Sequence, residues 1–373
     1  MKKFISGFLG ILFTVAMIVF AGILQYFNLL VFWQRVTLLL LFLILGIMAY
    51  HGIKHRSLIT SFISTLILAL VISFSSVAAY SILSLYSTLG RMNTPRSGEQ
   101  VKINEKEVDE HIEEGFHIYI SGIDTWGPIA QESRSDVNLI VSVNPKSGQS
   151  LITTVPRDSY VKIADGGHDQ YDKLTHAGNY GIFSSIHTLE NLFDIKIPYY
   201  VRVNFDSLIK MIDSLNGITI ENPRRFKAEG VTFPKGRIQL NGKEALIYAR
   251  DRKHMEDGEL QRGRNHVMLL QAIIKKCLSP AILVKANDLM SIMADNMQTN
   301  MPPVLLTRLI NKQLSSGTNW QFDSAQVKGT PRQDLKSYAM PHRHLYMYKL
   351  DETSVSEIAG RMKAVTGTEN PYR

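Results

Sequence analysis

The chain has 373 residues, enough for one or two domains with sizeable cores. Its formal net charge of +8 invites a nucleic-acid partner, but the position of that charge argues against one. No acidic residue precedes Glu99, whereas Lys2, Lys3, Arg35, Lys54, Arg56, Arg91 and Arg96 do, and the rest of the chain holds 34 basic against 33 acidic residues. A nearly neutral remainder with a few clustered arginines suits a small anionic ligand better than a long nucleic-acid backbone. The single cysteine, Cys277, permits no intrachain disulfide, and its context IIKKCLSPAI reads as a helix end with a structural thiol.

Three apolar runs fill residues 1–86: Phe4 to Leu24, about Val36 to Tyr50 (entering from Leu29), and about Leu58 to Leu85. A helical span needs about 20 apolar residues, so these predict a membrane anchor of three transmembrane helices. Tyr26, Phe27 and Trp33 suit an interfacial aromatic belt. Lys2 and Lys3 precede the first span, and HGIKHR, His51 to Arg56, separates the second from the third. The positive-inside rule puts both in the cytoplasm and delivers the rest of the chain to the outside. A polar linker over 87–115 comes next, with NEKEVDEHIEE as a short helix.

An outer domain over 116–373 then alternates strand and helix patterns. FHIYISGID reads as a strand, and VNLIVSVNP and SLITTVP as a hairpin around the turn NPKSG. SSIHTLENLFD is helical, YYVRVNF a strand, and DSLIKMIDSLNG a helix capped by Asp206 and ended by Asn216–Gly217. GITIEN is a strand, GKEALIYA begins helical and turns to strand near Tyr248, and GRNHVMLLQAIIKKCL is a helix. The pattern predicts an α/β layered domain, and the near-continuous apolar strands predict a sheet covered on both faces.

Four segments at strand ends carry chemistry. GIDTWGPIAQESRSD has Asp124 and Asp136 at strand ends with Arg134 adjacent, a set that suits Mg²⁺ with an anionic substrate, since the ion keeps several waters and takes phosphate oxygens. VPRDSYV aims Arg157 from a strand end whose backbone Pro156 restricts; the bland reading is an Arg157–Asp158 surface pair. DKLTHAG offers Lys173 to a phosphate, and His176 more ordinarily to structure. YARDRKHMEDGELQRGRNH holds Arg250, Arg252, Arg262 and Arg264. On a strand Arg250 and Arg252 share a face, and QRGRNH opens a helix whose N-terminus favours anions. Guanidinium groups bind phosphate oxygens in bidentate fashion, so convergence of the four would make a diphosphate clamp. The competing reading is a solvated basic loop balanced by Glu256, Asp257 and Glu259.

Together SGIDTWGP, RSDVNLIVSVNP, TTVPRDSYV, DKLTHAGNYG, HTLENLFDIKIPYYVRVNF, IDSLNGITI, EALIYARDR and GRNH, in that order, resemble the LytR–CpsA–Psr family over about residues 116–280. The resemblance is strongest to its streptococcal capsule-locus members and extends to QTNMP and SYAMP. It implies a layered α/β domain with a central mixed sheet covered by helices, outside the plasma membrane of a Gram-positive bacterium. It implies transfer of a glycopolymer, here capsular polysaccharide, from an undecaprenyl-diphosphate carrier to peptidoglycan with Mg²⁺ or Mn²⁺. The polyprenyl tail would enter an apolar pocket between sheet and helices. By motif, Asp124 and Asp136 match the metal-associated carboxylates, and Arg157, Arg250, Arg252 and Arg262 the diphosphate-binding arginines. Glu259 stands near a proposed base, and His266 where the family usually has glutamine. Arg134, Lys173, Arg264 and His266 complete the expected substrate contacts. Expected partners are the lipid-linked polysaccharide, peptidoglycan, the membrane and other capsule-assembly proteins, not nucleic acid. The linker is too short for the accessory domain typical of capsule-locus relatives.

The implied mechanism is electrostatic: metal and arginines neutralise the diphosphate and stabilise the leaving polyprenyl phosphate. Attack on phosphorus would leave a phosphodiester, attack on the anomeric carbon a glycoside. One rival is a non-catalytic regulator that binds lipid-linked polymer through the same arginines. A transcriptional regulator would need a cytoplasmic DNA-binding element, and the predicted cytoplasmic segments are too short for one.

Overall fold

The computed structural model describes residues 105–279 and 297–367, except 128, 130, 131 and 252–258, with scattered positions among 15–87. The chain divides into two compact units, 1–87 with 303–315, and 88–302 with 316–373.

In the first unit, Phe20 and Phe42 are buried with ring centroids 5.8 Å apart, while Ile18, Val19, Leu66 and Leu70 are more than half exposed. Most of a helix over Pro303–Ser316 also belongs here. No helix among the described residues is long and apolar enough to cross a membrane. Only scattered positions of the three predicted spans are described, each of them helical, and the rest lie outside the described residues.

The second unit is built on a six-stranded mixed sheet. Its strands are β1 (Phe116–Ile123), β2 (Ser135–Asn144), β3 (Gln149–Thr154), β6 (Tyr199–Val203), β11 (Met297–Thr299) and β12 (Gln321–Gln326), in the order β11-β6-β1-β2-β3-β12. The predicted β2–β3 hairpin is antiparallel, as are β1–β2 and β6–β11, whereas β1–β6 and β3–β12 are parallel.

Alternation of side chains divides the sheet into two faces. Tyr119, Ile140 and Leu151 point to a core completed by helices α3 (Ile182–Phe193) and α7 (Glu352–Thr366). Leu139, Val141 and Ile152 point the other way, to Val267 of helix α6 (Glu259–Cys277). On that second face Ile118, Ile120, Val137, Val143 and Phe322 are only partly buried.

A smaller core lies beside the sheet. Helix α4 (Phe205–Ser214) and helix α5 (Gly242–Arg250) pack with strand β7 (Ile218–Asn222), the hairpin of β8 (Phe226–Ala228) and β9 (Val231–Phe233), and β10 (Gly236–Leu240). Helix α4 ends where expected, at Asn216 and Gly217 with φ of 57° and 78°. Its cap is Asn204 rather than Asp206: Asn204 accepts from Ser207 N, and Ser207 Oγ accepts from Asn204 N.

The strand expected near Tyr248 is helix through Arg250. Asn241 and Glu244 form a reciprocal capping box at the start of α5, and Tyr248 lies buried on its inner face. Helix α1 (Glu105–Glu114), within the predicted linker, is packed down as well, with Val108 fully buried and His111 Nδ1 2.7 Å from the Tyr199 hydroxyl.

Candidate active site

Three of the expected site residues, Asp124, Asp136 and Arg157, lie at one edge of the sheet, where β1 ends, β2 begins and β3 ends. A register shift at Gly122/Ile123 turns β1 out of the sheet, leading directly to Asp124. The loop beyond it is tied to the start of α4: Phe205 N donates to Thr125 O at 3.3 Å, Asn204 Nδ2 donates to Gly127 O at 2.6 Å, and Gly127 N donates to Asp206. Asp206 therefore anchors the Asp124 loop. Asp124 itself is exposed and makes no hydrogen bond or ion pair among the described residues.

The next strand begins on a buried hydroxyl network. Ser121 Oγ lies 2.8 Å from Ser135 Oγ, and the Tyr119 hydroxyl donates to Asn138 Oδ1 at 2.6 Å. Arg202, 1 % exposed, donates from Nη2 to Ser133 O at 3.3 Å. Burial lowers its pKa, while the adjacent Tyr119 and Tyr200 act to raise it. This arginine fixes the backbone just before Arg134 and Asp136, and sequence reasoning missed it. Its one signal was a charge inside the otherwise apolar YYVRV.

Asp136 is the centre of the cluster. Its Oδ1 accepts from Arg157 Nη1 at 2.8 Å and from Thr175 Oγ1 at 3.4 Å. Arg157 Nε lies 3.6 Å from Asp158 Oδ2, and Asp158 Oδ1 accepts from Lys173 Nζ at 2.8 Å. Asp136, Arg157, Asp158 and Lys173 thus form a continuous chain of alternating charge with side chains 12–23 % exposed. The pair with Asp158 exists, but the shorter contact of Arg157 is to Asp136.

Local structure explains the aim. Ser159 Oγ donates to Pro156 O at 2.6 Å, closing a turn, and Thr175 N donates to Arg157 O at 2.8 Å from helix α2 (Leu174–Ala177). Lys173 ends strand β5 (Gln170–Lys173), which pairs with β4 (Tyr160–Ile163). His176 is structural, as expected: its Nδ1 lies 2.9 Å from Asp172 Oδ1, which also accepts from Ser337 Oγ at 2.7 Å.

The arginine-rich segment divides. Arg250 ends α5, exposed, with its guanidinium carbon 4.9 Å from the centre of the Phe205 ring, and Trp126 packs edge-on to the same ring at 5.3 Å. Arg252 lies outside the described residues. Arg262 and Arg264 both sit on α6, where residues two apart point in nearly opposite directions. Arg262 is buried, whereas Arg264 is exposed and donates to Gln261 Oε1 at 3.0 Å. The expected convergence of these two is thereby corrected.

Asn265 and His266 serve a different purpose. Asn265 Nδ2 donates to Tyr248 O at 3.1 Å, and His266 Nε2 lies 3.1 Å from Ala249 O. They satisfy carbonyls that the end of α5 leaves open, and so hold Arg250 against α6. Glu259 is the first residue of α6. Gly263 lets this helix approach β3 and β12, since a Cβ there would lie 2.8 Å from Thr154 Cγ2.

Cys277 ends α6, and burial pushes its thiol up to about 11, which disfavours the thiolate. Among the described residues no group of three or more His, Cys, Asp or Glu could cage a metal. The residues nevertheless fit a hydrated divalent ion. Asp136 Oδ2 has no hydrogen-bond partner among the described residues, Asp124 is exposed, and such an ion needs only one or two carboxylates beside substrate phosphate.

Carboxylates and an alternating charge chain at strand ends of a mixed sheet covered by helices characterise this α/β domain. Residues 79–364 match the LytR_cpsA_psr family, and the chain belongs to that family. The polyisoprenyl-teichoic acid–peptidoglycan teichoic acid transferases TagU of Bacillus licheniformis and Bacillus subtilis are 28% and 29% identical to it over 314 residues, which cover 83% of this chain and 96% of each relative. The crystal structure of B. subtilis TagU superposes with a TM-score of 0.55 at 28% identity, covering 70% of this chain and 100% of that one. A structure of TagT bound to LI-WTA gives 0.55 at 28% identity, covering 74% and 99%.

Proposed function

We propose that this chain transfers a glycopolymer from a polyprenyl-diphosphate carrier to peptidoglycan on the outer side of the plasma membrane. The observation that carries the reading is the Asp136–Arg157–Asp158–Lys173 chain, on the same strand ends as exposed Asp124. It would take a diphosphate, and the partly buried Ile118, Ile120, Val137 and Phe322 would take its apolar tail. The names of the relatives support the reaction class. The polymer proposed here is capsular polysaccharide. The exposed apolar residues Ile18, Val19, Leu66 and Leu70 support a membrane anchor in the first unit.

Arg157, Arg250 and Lys173 bind and neutralise the diphosphate, and positioning rather than covalent chemistry dominates. Asp124 and Asp136 would hold Mg²⁺ or Mn²⁺, which when bound supplies further charge neutralisation at the phosphates. Asp136 also orients Arg157, so the carboxylate serves both the ion and the guanidinium.

The test uses the full chain in detergent, given a lipid-diphosphate-linked oligosaccharide, peptidoglycan fragments and Mg²⁺, with products read by mass spectrometry. Transfer lost in Arg250→Ala and Asp136→Ala supports the transferase. Tight lipid binding without transfer, despite a competent acceptor, replaces it with the non-catalytic regulator.

A further inference from the structure

A concavity lies away from the partly covered sheet face, on the side of α3 and α7. It has a volume of about 1770 Å³. Small-molecule pockets run about 300–1,000 Å³, so this groove suits a segment of polymer. Its α7 wall is low, with Ser356, Ala359 and Gly360 facing in, and no atom lies within 4 Å of where a Gly360 Cβ would stand.

The opposite wall is aromatic and basic. In the β4–β5 pair Tyr160 faces Lys173 and Lys162 faces Tyr171, so all four share one surface. The Tyr160 and Tyr171 rings stack with centroids 4.9 Å apart and an interplanar angle of 22°. Lys162 Nζ lies 5.7 Å from the Tyr171 ring centre, and Tyr171 is 47% exposed. The exposed Lys349 lines the same groove from strand β14 (Met347–Leu350), which pairs with β13 (Gly329–Arg332). Ser159, just before β4, bridges to Tyr348, so β14 continues this surface.

The stacked tyrosine pair, with Tyr171 half exposed at the groove, offers a flat apolar platform to a ligand. Asp194 and Glu352 also line the groove, and Asp194 pairs with Lys363 at 2.7 Å. The balance of charges argues against a polyphosphate. Tyrosine rings with surrounding hydroxyl, amide and ammonium groups match the alternating apolar faces and hydroxyls of sugars. The surface is continuous with the candidate active site, because Lys173 is the last member of its charge chain.

The geometry points to a glycan-binding groove, formed by Tyr160, Lys162, Tyr171, Lys349 and the Gly360 face of α7, that holds a run of sugars leading to or from the reacting centre. This rests on the transferase reading, which leaves two sources of the sugars, the donor polymer or the acceptor strand.

The full chain in detergent would be titrated calorimetrically with three probes: a peptide-free N-acetylglucosamine–N-acetylmuramic acid hexasaccharide, a hyaluronan hexasaccharide as a capsule-like polymer, and a free peptidoglycan stem peptide. One hexasaccharide is expected to bind, and which one binds identifies the source. A Tyr160→Ala/Tyr171→Ala double substitution should weaken it at least tenfold. Gly360→Trp, which fills open space and leaves the tyrosines untouched, should do the same, while Arg250→Ala should leave it unchanged. Binding to neither hexasaccharide, binding only of the stem peptide, or saccharide binding lost in Arg250→Ala but kept in both groove variants would overturn the groove. The last result would leave the transferase reading standing, since that is judged by transfer.

Discussion

Asp136 and Arg157 are locked to one another: Nη1 donates to Oδ1 at 2.8 Å, and the same oxygen takes the Thr175 hydroxyl at 3.4 Å. Neither side chain is more than 23 % exposed, so the pair is better shielded than a surface ion pair. Each residue positions the other. Asp136→Ala and Arg157→Ala are each expected to lower kcat by about 10²–10³, the usual loss for one preorganised electrostatic group. The double variant should lose little more than either single, because one unit has been removed. Steady-state transfer rates for all three proteins check this, and full additivity would mean that the two residues act independently.

Gly178 tests how that pair is held. A Cβ on it would lie 2.2 Å from Ser133 O, and Ser133 N already donates to Gly178 O at 3.1 Å. The obstacle is backbone, so it cannot swing aside. Gly178→Ala should cost about 1–3 kcal/mol as an overpacked site does, and push the Ser133–Asp136 backbone away from Arg157. A combined fall in thermal midpoint and in kcat is expected. An unchanged melting curve would show that the two loops are free to separate.

Much of this architecture was legible in the sequence because local signals agreed with tertiary ones. The β2–β3 hairpin, the end of α4 at Asn216–Gly217 and the structural His176 were all readable from pattern and turn chemistry. The misses have physical causes. Asp206 lies one residue inside α4 and resembles a cap, but Asn204 completes the box with Ser207, and Asp206 turns to Gly127. Tyr248–Arg250 is helical because Asn241 and Glu244 start a helix and α6 side chains close its far end, a contact between separate segments that periodicity does not report. The Asp136–Arg157 pair joins residues 21 positions apart: both were candidate site residues by motif, but no local pattern showed that they bond to each other.

Asp172 shows how the loop carrying Ser337 is fastened. Its Oδ1 accepts from Lys173 N, His176 Nδ1 and Ser337 Oγ, and its Oδ2 accepts from Ala339 N at 2.8 Å. Burial acts to raise its pKa, but these donors, His176 first, hold it below the ordinary value. Asp172→Ala leaves several buried donors unpaired, each worth about 1–3 kcal/mol. A loss of about 3–5 kcal/mol is expected by urea denaturation, and a loss under about 1 kcal/mol would show that water replaces the carboxylate.

His117 makes stability depend on pH. It is buried on β1 with Nδ1 2.9 Å from Ser142 Oγ, and burial, with Lys363 adding repulsion, pushes its pKa down from 6.5 to about 4. The unfolded chain therefore binds a proton that the folded chain refuses. This contribution is whole above about pH 6.5 and is lost as pH falls toward about 4, up to about 3 kcal/mol in all. Urea midpoints at pH 7.5 and 4.5, compared with those of His117→Gln, isolate it. The variant should show a smaller drop between the two, and an equal drop would assign the acid sensitivity to other groups.

Phe205 bears on catalysis through Arg250. The guanidinium carbon lies 4.9 Å from the ring centre, within the range of cation–π attraction, and Trp126 packs against the same ring. Arg250 is exposed, so the attraction is worth about 0.5–1 kcal/mol, or roughly a two- to fivefold effect on an equilibrium. Phe205→Leu keeps the apolar bulk and removes the ring face. Arg250 should then sample more orientations, with kcat/KM falling two- to fivefold and the melting temperature nearly constant. The same substitution in an Arg250→Ala background should change kcat/KM little, because the group that Phe205 orients is gone. Equal losses in both backgrounds would mean that Phe205 acts through the Asp124 loop and Trp126 instead.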